Sequence, residues 1–519
     1  MSGRRKGQDG ADARPLELDV ARATRADRRP YGVIDIGSNS VRLVVYDELG
    51  RAPLPRFNEK SLCRLGEGLA QTGAIAADGF RRTVEAVRRF RAIADAMGVV
   101  RLDATATEAI RRATNGPELV AAIAAESGVQ LRVLSGAEEA HFAARGVISG
   151  FFRPIGLVGD MGGGSLEVAE ALDDRVGERW VSLPLGALPV EALLAEGAGE
   201  AKRRIDALLK EGLPPALTEP VFYPVGGGWR ALAKTHMAAV AAPVRVVHGY
   251  TLGAAEARAF AKKLWHLSPA KIAGLAGVPA RRARTLPAAA LVLDRLLKHL
   301  APERVVFSAL GLREGWLYAQ LGEAERYLDP LVEGAQLFGL PMARVPAFAL
   351  ALVRWTDGLF PGETPADRRL RVAVCALSDI AWRDHPDVRA EESFRRLLQF
   401  PFIGLDHAER VLIAAAIHAR YAGKPDDAWL APAIALLPPS ARRRAQILGR
   451  AILLGYRLSG GVPEILGDAR LRILTDQVRL EVGSAARVPD SEVVGDRLTL
   501  LAQAIGVRRT EVVELAAVS

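Results

Sequence analysis

A chain of 519 residues, half of them hydrophobic and 25% charged, is long enough for several domains and ordinary for a globular protein in water. It carries no run of about 18 apolar residues, no hydrophobic leader and only two cysteines, Cys63 and Cys375, which leaves no basis for a spanning helix, a secretory signal, a disulfide framework or a zinc spacing; a cytoplasmic setting is expected. The net charge of +9 and pI near 9.7 favour a polyanionic partner, or reflect an Arg- and Ala-rich composition, without choosing between nucleic acid, lipid surface and polyphosphate.

Residues 1–30, with Arg4, Arg5, Lys6, Arg28 and Arg29 among acids and small residues, read as a disordered basic tail. Strand and helix signals alternate from Tyr31 onward. Tyr31–Gly37 and Val41–Asp47 read as a hairpin, 78–97 as an amphipathic helix, 99–104 as a strand and 115–127 as a helix. A strand over 129–134 and a helix from Gly136 to Ile148 follow. The pattern then restarts: Ile155–Asp160 is an apolar strand ending in aspartate, followed by "MGGGS" and a strand over Leu166–Glu170. Asp35-Ile36-Gly37-Ser38 is thus echoed by Asp160-Met161-Gly162-Gly163, a weak internal duplication of two α/β halves. Later, 220–225 leads into "GGGW", and 305–308 precedes a helix opening at "GLREG". Beyond about Leu328 the texture becomes Ala/Leu/Arg-rich and helical, with strands expected only near 469–482.

A glycine turn between strands can aim several backbone N–H groups at one point, and the hydroxyls of Ser38 and Ser40 add donors. An aspartate beside such an anion cradle would repel phosphate unless a cation lies between them. Mg²⁺ suits the task, because it takes one or two carboxylates and keeps its remaining positions for water and phosphate oxygens. Asp35 and Asp160 therefore read as metal or metal-water ligands facing a shared cleft; the alternative is that each caps its own turn. Other phosphate motifs fit less well. "GDMGGGS" lacks the G-x-G-x-x-G spacing, and "GWRALAKT" has Ala233 where a P-loop needs glycine.

Two further stretches carry chemistry. In "LSGAEEAHFAARGV", Ser135 and Glu138 form a capping box, which leaves Glu139 at a helix N-terminus as a candidate general base for water. In "ATEAIRRATN", Arg111 is a candidate bidentate phosphate contact.

The ordered set "VIDIGSNSVRLVVY", "ATEAIRRATN", "VLSGAEEAHFAARGV", "GDMGGGSLEV", "PVGGGWRALAK" and "SALGLREG", over Tyr31–Leu321, resembles the exopolyphosphatase / guanosine pentaphosphate phosphohydrolase (Ppx/GppA) family, a branch of the actin–hexokinase–Hsp70 superfamily. The resemblance implies an α/β fold of two actin-like (ASKHA, ribonuclease H-like) domains, 31–150 and 151–325, each opening on a phosphate loop, followed by a mostly helical, HD-like domain over 330–519. It implies Mg²⁺-dependent removal of a terminal phosphate from inorganic polyphosphate or guanosine pentaphosphate. On that pattern Gly37, Ser38, Asn39 and Ser40 form the first phosphate loop, and Gly162, Gly163, Gly164 and Ser165 the second. Asp35 and Asp160 lie by the metal, Glu167 matches a family acidic position and joins them in the metal set, Glu139 is the base, and Arg111 matches the Arg of A-T-x-x-x-R. A homodimer without nucleic-acid or membrane partners is expected.

The chain departs from the family at three places. Pro189 and Val190 follow "PLGAL" where a basic residue is often found, and Trp229 follows three glycines where G-G-T is usual. Ser378 precedes Asp379 where an HD site needs an adjacent His-Asp pair, and His407 and His418 lie far off in sequence, so this domain is expected to hold no metal and to shape the cleft or a dimer contact. Rival readings are a kinase or ATPase of the same superfamily and a non-catalytic polyphosphate or alarmone sensor. The first needs an adenosine pocket and an acceptor site, and the second would not need Asp35, Glu139 and Asp160 together.

Overall fold

Strand β1 (Tyr31–Ile36) is buried on both faces, and its alternation decides what each side chain meets. The computed structural model describes residues 16–214, 217–278, 282–483 and 491–515. Ile34 and Ile36 pack with Val87, Phe90, Leu119 and Ile123 from helices Ala77–Ala96 and Gly116–Ser127, while Tyr31 and Val33 pack with Phe142, Trp316 and Leu317. By the same period of two, Asp35 shares the face of Tyr31 and Val33. Strand β1 pairs antiparallel with β2 (Ser40–Tyr46), which pairs antiparallel with β3 (Pro55–Leu62). It runs parallel to β4 (Arg101–Ala106), and β4 parallel to β5 (Leu131–Val133), giving the order β3-β2-β1-β4-β5.

The second sheet repeats this plan. Strands β6 (Ile155–Met161), β7 (Leu166–Leu172) and β8 (Arg175–Leu183) form an antiparallel meander, and β9 (Val221–Val225) and β11 (Arg304–Phe307) continue in parallel from β6. A sixth strand, β10 (Tyr250–Gly253), pairs antiparallel with β11 at the far edge. Within β6, Leu157 and Met161 join the core under helices Gly227–Ala239 and Leu286–Leu300, whereas Val158 packs with Ala140, Ala143, Val147 and Tyr318. Asp160 shares the face of Val158. Two sheets with the strand order 3-2-1-4-5 make a pair of ribonuclease H-like, actin-like domains.

Both aspartates therefore face the layer formed by helices Gly136–Gly150 and Leu312–Gln320. These helices cross at very close range. A Cβ at Gly146 would fall 2.1 Å from the Gly311 carbonyl oxygen, and one at Gly315 would fall 1.8 Å from that of Phe142. Only glycine permits this approach. The crossing is fixed from outside as well, since Trp316 donates to Asp103 Oδ2 at 2.8 Å.

The main elements lie where the sequence pattern puts them, with shifts at the edges. The strand expected at 99–104 runs from Arg101 to Ala106, and that expected at 129–134 shrinks to Leu131–Val133. Strands β3, β8 and β10 had no sequence signal of their own. Strand β3 is largely polar and half-exposed, so no apolar run marks it.

By contacts, Asp27–Gly322 is one unit and Glu323–Ser519, with the residues before Asp27, another. Within the expected tail, the described residues 16–30 include a helix. Residues 1–15, including Arg4, Arg5 and Lys6, lie outside the described residues, but Val20–Thr24 is a helix. Asp19 caps it, its own N–H donates to Gln336 Oε1 at 2.8 Å, Arg22 pairs with Glu325 at 2.7 Å, and Leu18 and Ala23 are buried. The rest of this unit is mainly helical, with the long helices His407–Arg420 and Pro439–Ser459 at its centre. The strands expected near 469–482 are β12 (Ala469–Ile473) and β13 (Gln477–Val482). A third, β14 (Arg509–Glu514), follows helix Ser491–Ile505 and pairs parallel to β13. Among the described residues no helix is long and apolar enough to cross a membrane.

At the HD-like position the buried Asp379 carboxylate is engaged by arginines. Arg344 donates from Nε and Nη2, both at 2.9 Å, and Arg420 donates from Nη2 at 3.2 Å. Arg420 also lies 3.8 Å over the Tyr456 ring. Asp379→Asn would leave two guanidinium groups without their counter-charge, and it should destabilise the protein by about 3 kcal/mol in denaturant titration. An unchanged midpoint would show that this cluster does not hold the helices together.

Candidate active site

The two glycine hairpins are built alike. In the first, Gly37 N–H donates to Ser40 O at 3.0 Å, and in the second Gly162 N–H donates to Ser165 O at 3.0 Å. Each turn has its carbonyls drawn off by a separate segment. Ser38 O accepts from Gly66 N–H at 2.7 Å and Asn39 O from Arg64 N–H at 3.1 Å. Gly162 O, Gly163 O and Gly164 O accept from the N–H groups of Ala187, Leu188 and Gly186 at 3.1, 2.8 and 3.1 Å. With the carbonyls held back, the N–H groups of Ser38, Asn39, Gly163 and Gly164 have no backbone acceptor among the described residues. Such turns are anion cradles.

The hairpins also touch one another. A Cβ at Gly163 would lie 2.6 Å from Ser38 Cβ and 3.0 Å from its Oγ. The supporting segments meet too, since a Cβ at Gly66 would lie 3.0 Å from Leu188 Cδ1. All eight expected phosphate-loop residues therefore fall in one place.

Asp35 and Asp160 border this place from the two sheets. Burial raises the Asp35 carboxyl above its ordinary value, and Arg313 opposes that shift. Burial likewise pushes Asp160 up to about 6, against Arg230, with Asp35 and Glu314 adding to the rise. A Cβ at Gly226 would lie 3.2 Å from Asp160 Oδ1, and one at Gly311 would lie 3.6 Å from Oδ2. The third glycine stretch and the "GLREG" loop thus leave room for this carboxylate by having no side chain.

Glu138 and Glu139 separate as their spacing suggests. Ser135 N–H donates to Glu138 Oε2 at 2.9 Å and Glu138 N–H donates to Ser135 Oγ at 3.2 Å, so Glu138 belongs to the cap. Glu139 is buried and ion-paired with Arg111, which also donates to the Leu134 carbonyl. Burial raises the Glu139 carboxyl to about 7 against the pull of Arg111, helped by the charges of Asp160 and Glu108. Glu167 stands opposite Asp160 in the β6–β7 register and accepts from Ser182 Oγ at 2.9 Å. Burial and then Glu139 hold it well above the usual carboxylate range, against the pull of the Ser165 hydroxyl. It is thus tied to serines of the second hairpin and β8. Among the described residues, no group of three or more His, Cys, Asp or Glu has an arrangement that would hold a metal by itself.

Sequence reasoning passed over the cations. Arg42 pairs with Asp35 in the β1–β2 register, and burial followed by Arg313 and Arg230 lowers its pKa. Arg230 donates to Ala309 O at 2.8 Å. Arg313 donates to Tyr46 OH at 3.2 Å and to Glu314, and Glu314 Oε2 accepts from Gly311 N–H at 3.0 Å. Burial would raise the Glu314 carboxyl, but Arg313 and this N–H outweigh it and hold it below its ordinary value. The signal was present in "GWR" and "LREG", an arginine following a glycine turn at a helix start in each case.

The profile of the Ppx/GppA phosphatase family matches residues 44–324, and that described as exopolyphosphatase, C-terminal, matches 331–513. Exopolyphosphatase 1 of Mycobacterium tuberculosis is 33% identical over 324 residues, covering 59% of this chain and 92% of that protein. Retrograde regulation protein 2 of Saccharomyces cerevisiae is 25% identical over 468 residues, covering 82% of this chain and 76% of that one. Among solved structures, an exopolyphosphatase from Cytophaga hutchinsonii is 25% identical with a TM-score of 0.51, covering 56% of this chain and 97% of that one. A profile spanning more than half the chain, on a fold with twinned phosphate-type hairpins, decides the class: the chain belongs to the Ppx/GppA phosphatase family and is a hydrolase.

Proposed function

We propose that this enzyme removes the terminal phosphate of inorganic polyphosphate by Mg²⁺-assisted attack of water, with Glu139 as general base. The observation that carries the reading is the pairing of two anion-cradling hairpins with a buried carboxylate whose pKa lies near neutrality. The relatives named as exopolyphosphatases support the choice of substrate. Two buried thiols, Cys63 and Cys375, suit a reducing cytoplasm.

Glu139 accepts the proton of a water molecule, whose oxygen attacks the terminal phosphorus in line with the bridging oxygen. Arg111 orients the Glu139 carboxylate through their ion pair. The N–H groups of both hairpins, with the hydroxyl of Ser38, take up the charge of the equatorial oxygens, and the P–O bond to the shortened chain breaks. Asp35 and Asp160 fit a hard cation that keeps water in its other positions, because both are buried and the Asp35 charge adds to the cost of ionising Asp160. When bound there, Mg²⁺ would neutralise charge on the phosphate oxygens. Glu167 contributes through Ser165 and Ser182.

Glu139→Gln should keep the fold and lower turnover by roughly 10²–10⁴-fold. In the wild type, kcat/KM should fall about tenfold per pH unit below about 7, because the working base is the ionised form and burial has raised its pKa. That limb should vanish in the Gln variant. Turnover within a few-fold of wild type would remove Glu139 from the chemistry.

Asp160→Asn should raise the Mg²⁺ concentration needed for half-maximal activity, and EDTA should abolish phosphate release from the wild type. An unchanged Mg²⁺ titration would return Asp160 to a turn-capping role.

Inorganic polyphosphate should be degraded faster than guanosine pentaphosphate at matched concentration, by a margin that narrows as salt rises. The reading rests on the net charge of +9 and on the Arg281, Arg282 and Arg284 cluster as a positive surface. Arg281 lies outside the described residues, Arg284 pairs with Glu191, and Arg282 packs so close to Gly227 that a Cβ there would fall 2.2 Å from its Nη2. Equal rates, or a ratio indifferent to salt, would favour a nucleotide-directed enzyme.

A further inference from the structure

Gly164 of the second hairpin has a neighbour that the mechanism does not use. A Cβ there would fall 1.4 Å from Glu108 Oε2 and 2.6 Å from Oε1, so a carboxylate fills the place where any other residue would carry its side chain. Glu108 opens the short helix Glu108–Arg112, directly after β4 of the first sheet. It therefore reaches the second hairpin from the opposite domain, as Ser38 does against Gly163. The residue is only 8% exposed, and its Oε1 accepts from Arg112 Nη1 at 2.8 Å. Arg112 is 54% exposed, so the pair runs from the hairpin out to solvent.

The carboxylate packs on the Cα side of Gly164, in a turn whose Gly163 and Gly164 N–H groups lack backbone acceptors among the described residues, so a negative group stands directly beside the anion cradle. We propose that Glu108 gates the second hairpin: its carboxylate is an internal anion lying against Gly164, which an incoming phosphate chain displaces toward Arg112. The inference rests on the polyphosphate reading above. The gate adds the same penalty to every anion that enters. A lone orthophosphate, with few contacts, then falls to weak affinity and leaves readily, whereas a chain held by both hairpins and by Arg42, Arg230 and Arg313 still binds. The alternative is that Glu108 merely buttresses the Gly164 backbone.

The test is titration calorimetry with orthophosphate and with tripolyphosphate, in the presence of Mg²⁺, on the full-length Glu139→Gln protein with and without Glu108→Gln. The gate predicts that Glu108→Gln tightens both ligands by about tenfold, since a like charge is removed from the binding place. In the enzyme with Glu139 intact, KM for polyphosphate should fall by a similar factor with no rise in kcat. Glu108→Asp, which keeps the charge but draws it back by one methylene, should tighten binding partway and serves the test should Glu108→Gln fail to fold. Unchanged or weaker binding in these variants would overturn the gate and leave the buttress. A Glu139→Gln protein that binds neither ligand would instead overturn the polyphosphate reading itself.

Discussion

The backbone hydrogen bonds that hold the hairpin carbonyls away from the cradle are the constraint on which the rest of the site depends. A tight turn exposes N–H and C=O groups alike, and a phosphate meeting both would gain little. Here Arg64 and Gly66 take the carbonyls of the first turn, and Gly186, Ala187 and Leu188 take those of the second. The donors that remain are therefore of one polarity. Because Gly66 also packs against Leu188, the two supporting segments fix each other, and the hairpins are held at contact distance. This accounts for "RLGEG" and "PLGAL" lying beside the hairpins: both hold them through main-chain N–H groups.

Asp35, Asp160, Glu139 and Glu167 are each raised by burial first, so the unliganded site disfavours its own negative charge. Arg313, Arg230 and Arg111 offset part of this, each assigned to one carboxylate. The placement of these groups follows from the helix layer common to both sheets. The glycine crossing of Gly146, Gly311 and Gly315 brings Glu139 from one helix and Arg313 from the other toward aspartates that end two different strands. Asp35 is thus accommodated beside its turn by the Arg313 guanidinium.

The duplicated strand–Asp–glycine units were legible because each joins a short apolar run to residues with one physical use. The capping box at Ser135 and Glu138 was legible for the same reason, and it freed Glu139 for a role that its burial and its Arg111 partner suit. Strands β3 and β8 were not legible, since their polar, half-exposed faces carry no apolar periodicity. Arg42 has no local mark, and a glycine turn before Arg230 and Arg313 is a weak one in a chain this rich in arginine; only tertiary packing buries them beside carboxylates. Glu108 was hidden similarly: its spacing to Arg112 reads as an ordinary surface pair until Gly164 is brought against it. The helix Val20–Thr24 depends on contacts with residues about 300 positions away, which composition cannot register.

In the proposed reaction water, activated at Glu139, attacks the outermost phosphorus of a chain held by the two hairpins. Hydrolysis of tripolyphosphate in ¹⁸O-enriched water, read by mass spectrometry, tests it most directly. One solvent oxygen in each released orthophosphate and none in the pyrophosphate left behind is the expected result. Solvent oxygen in the pyrophosphate, or no release of orthophosphate, would contradict it.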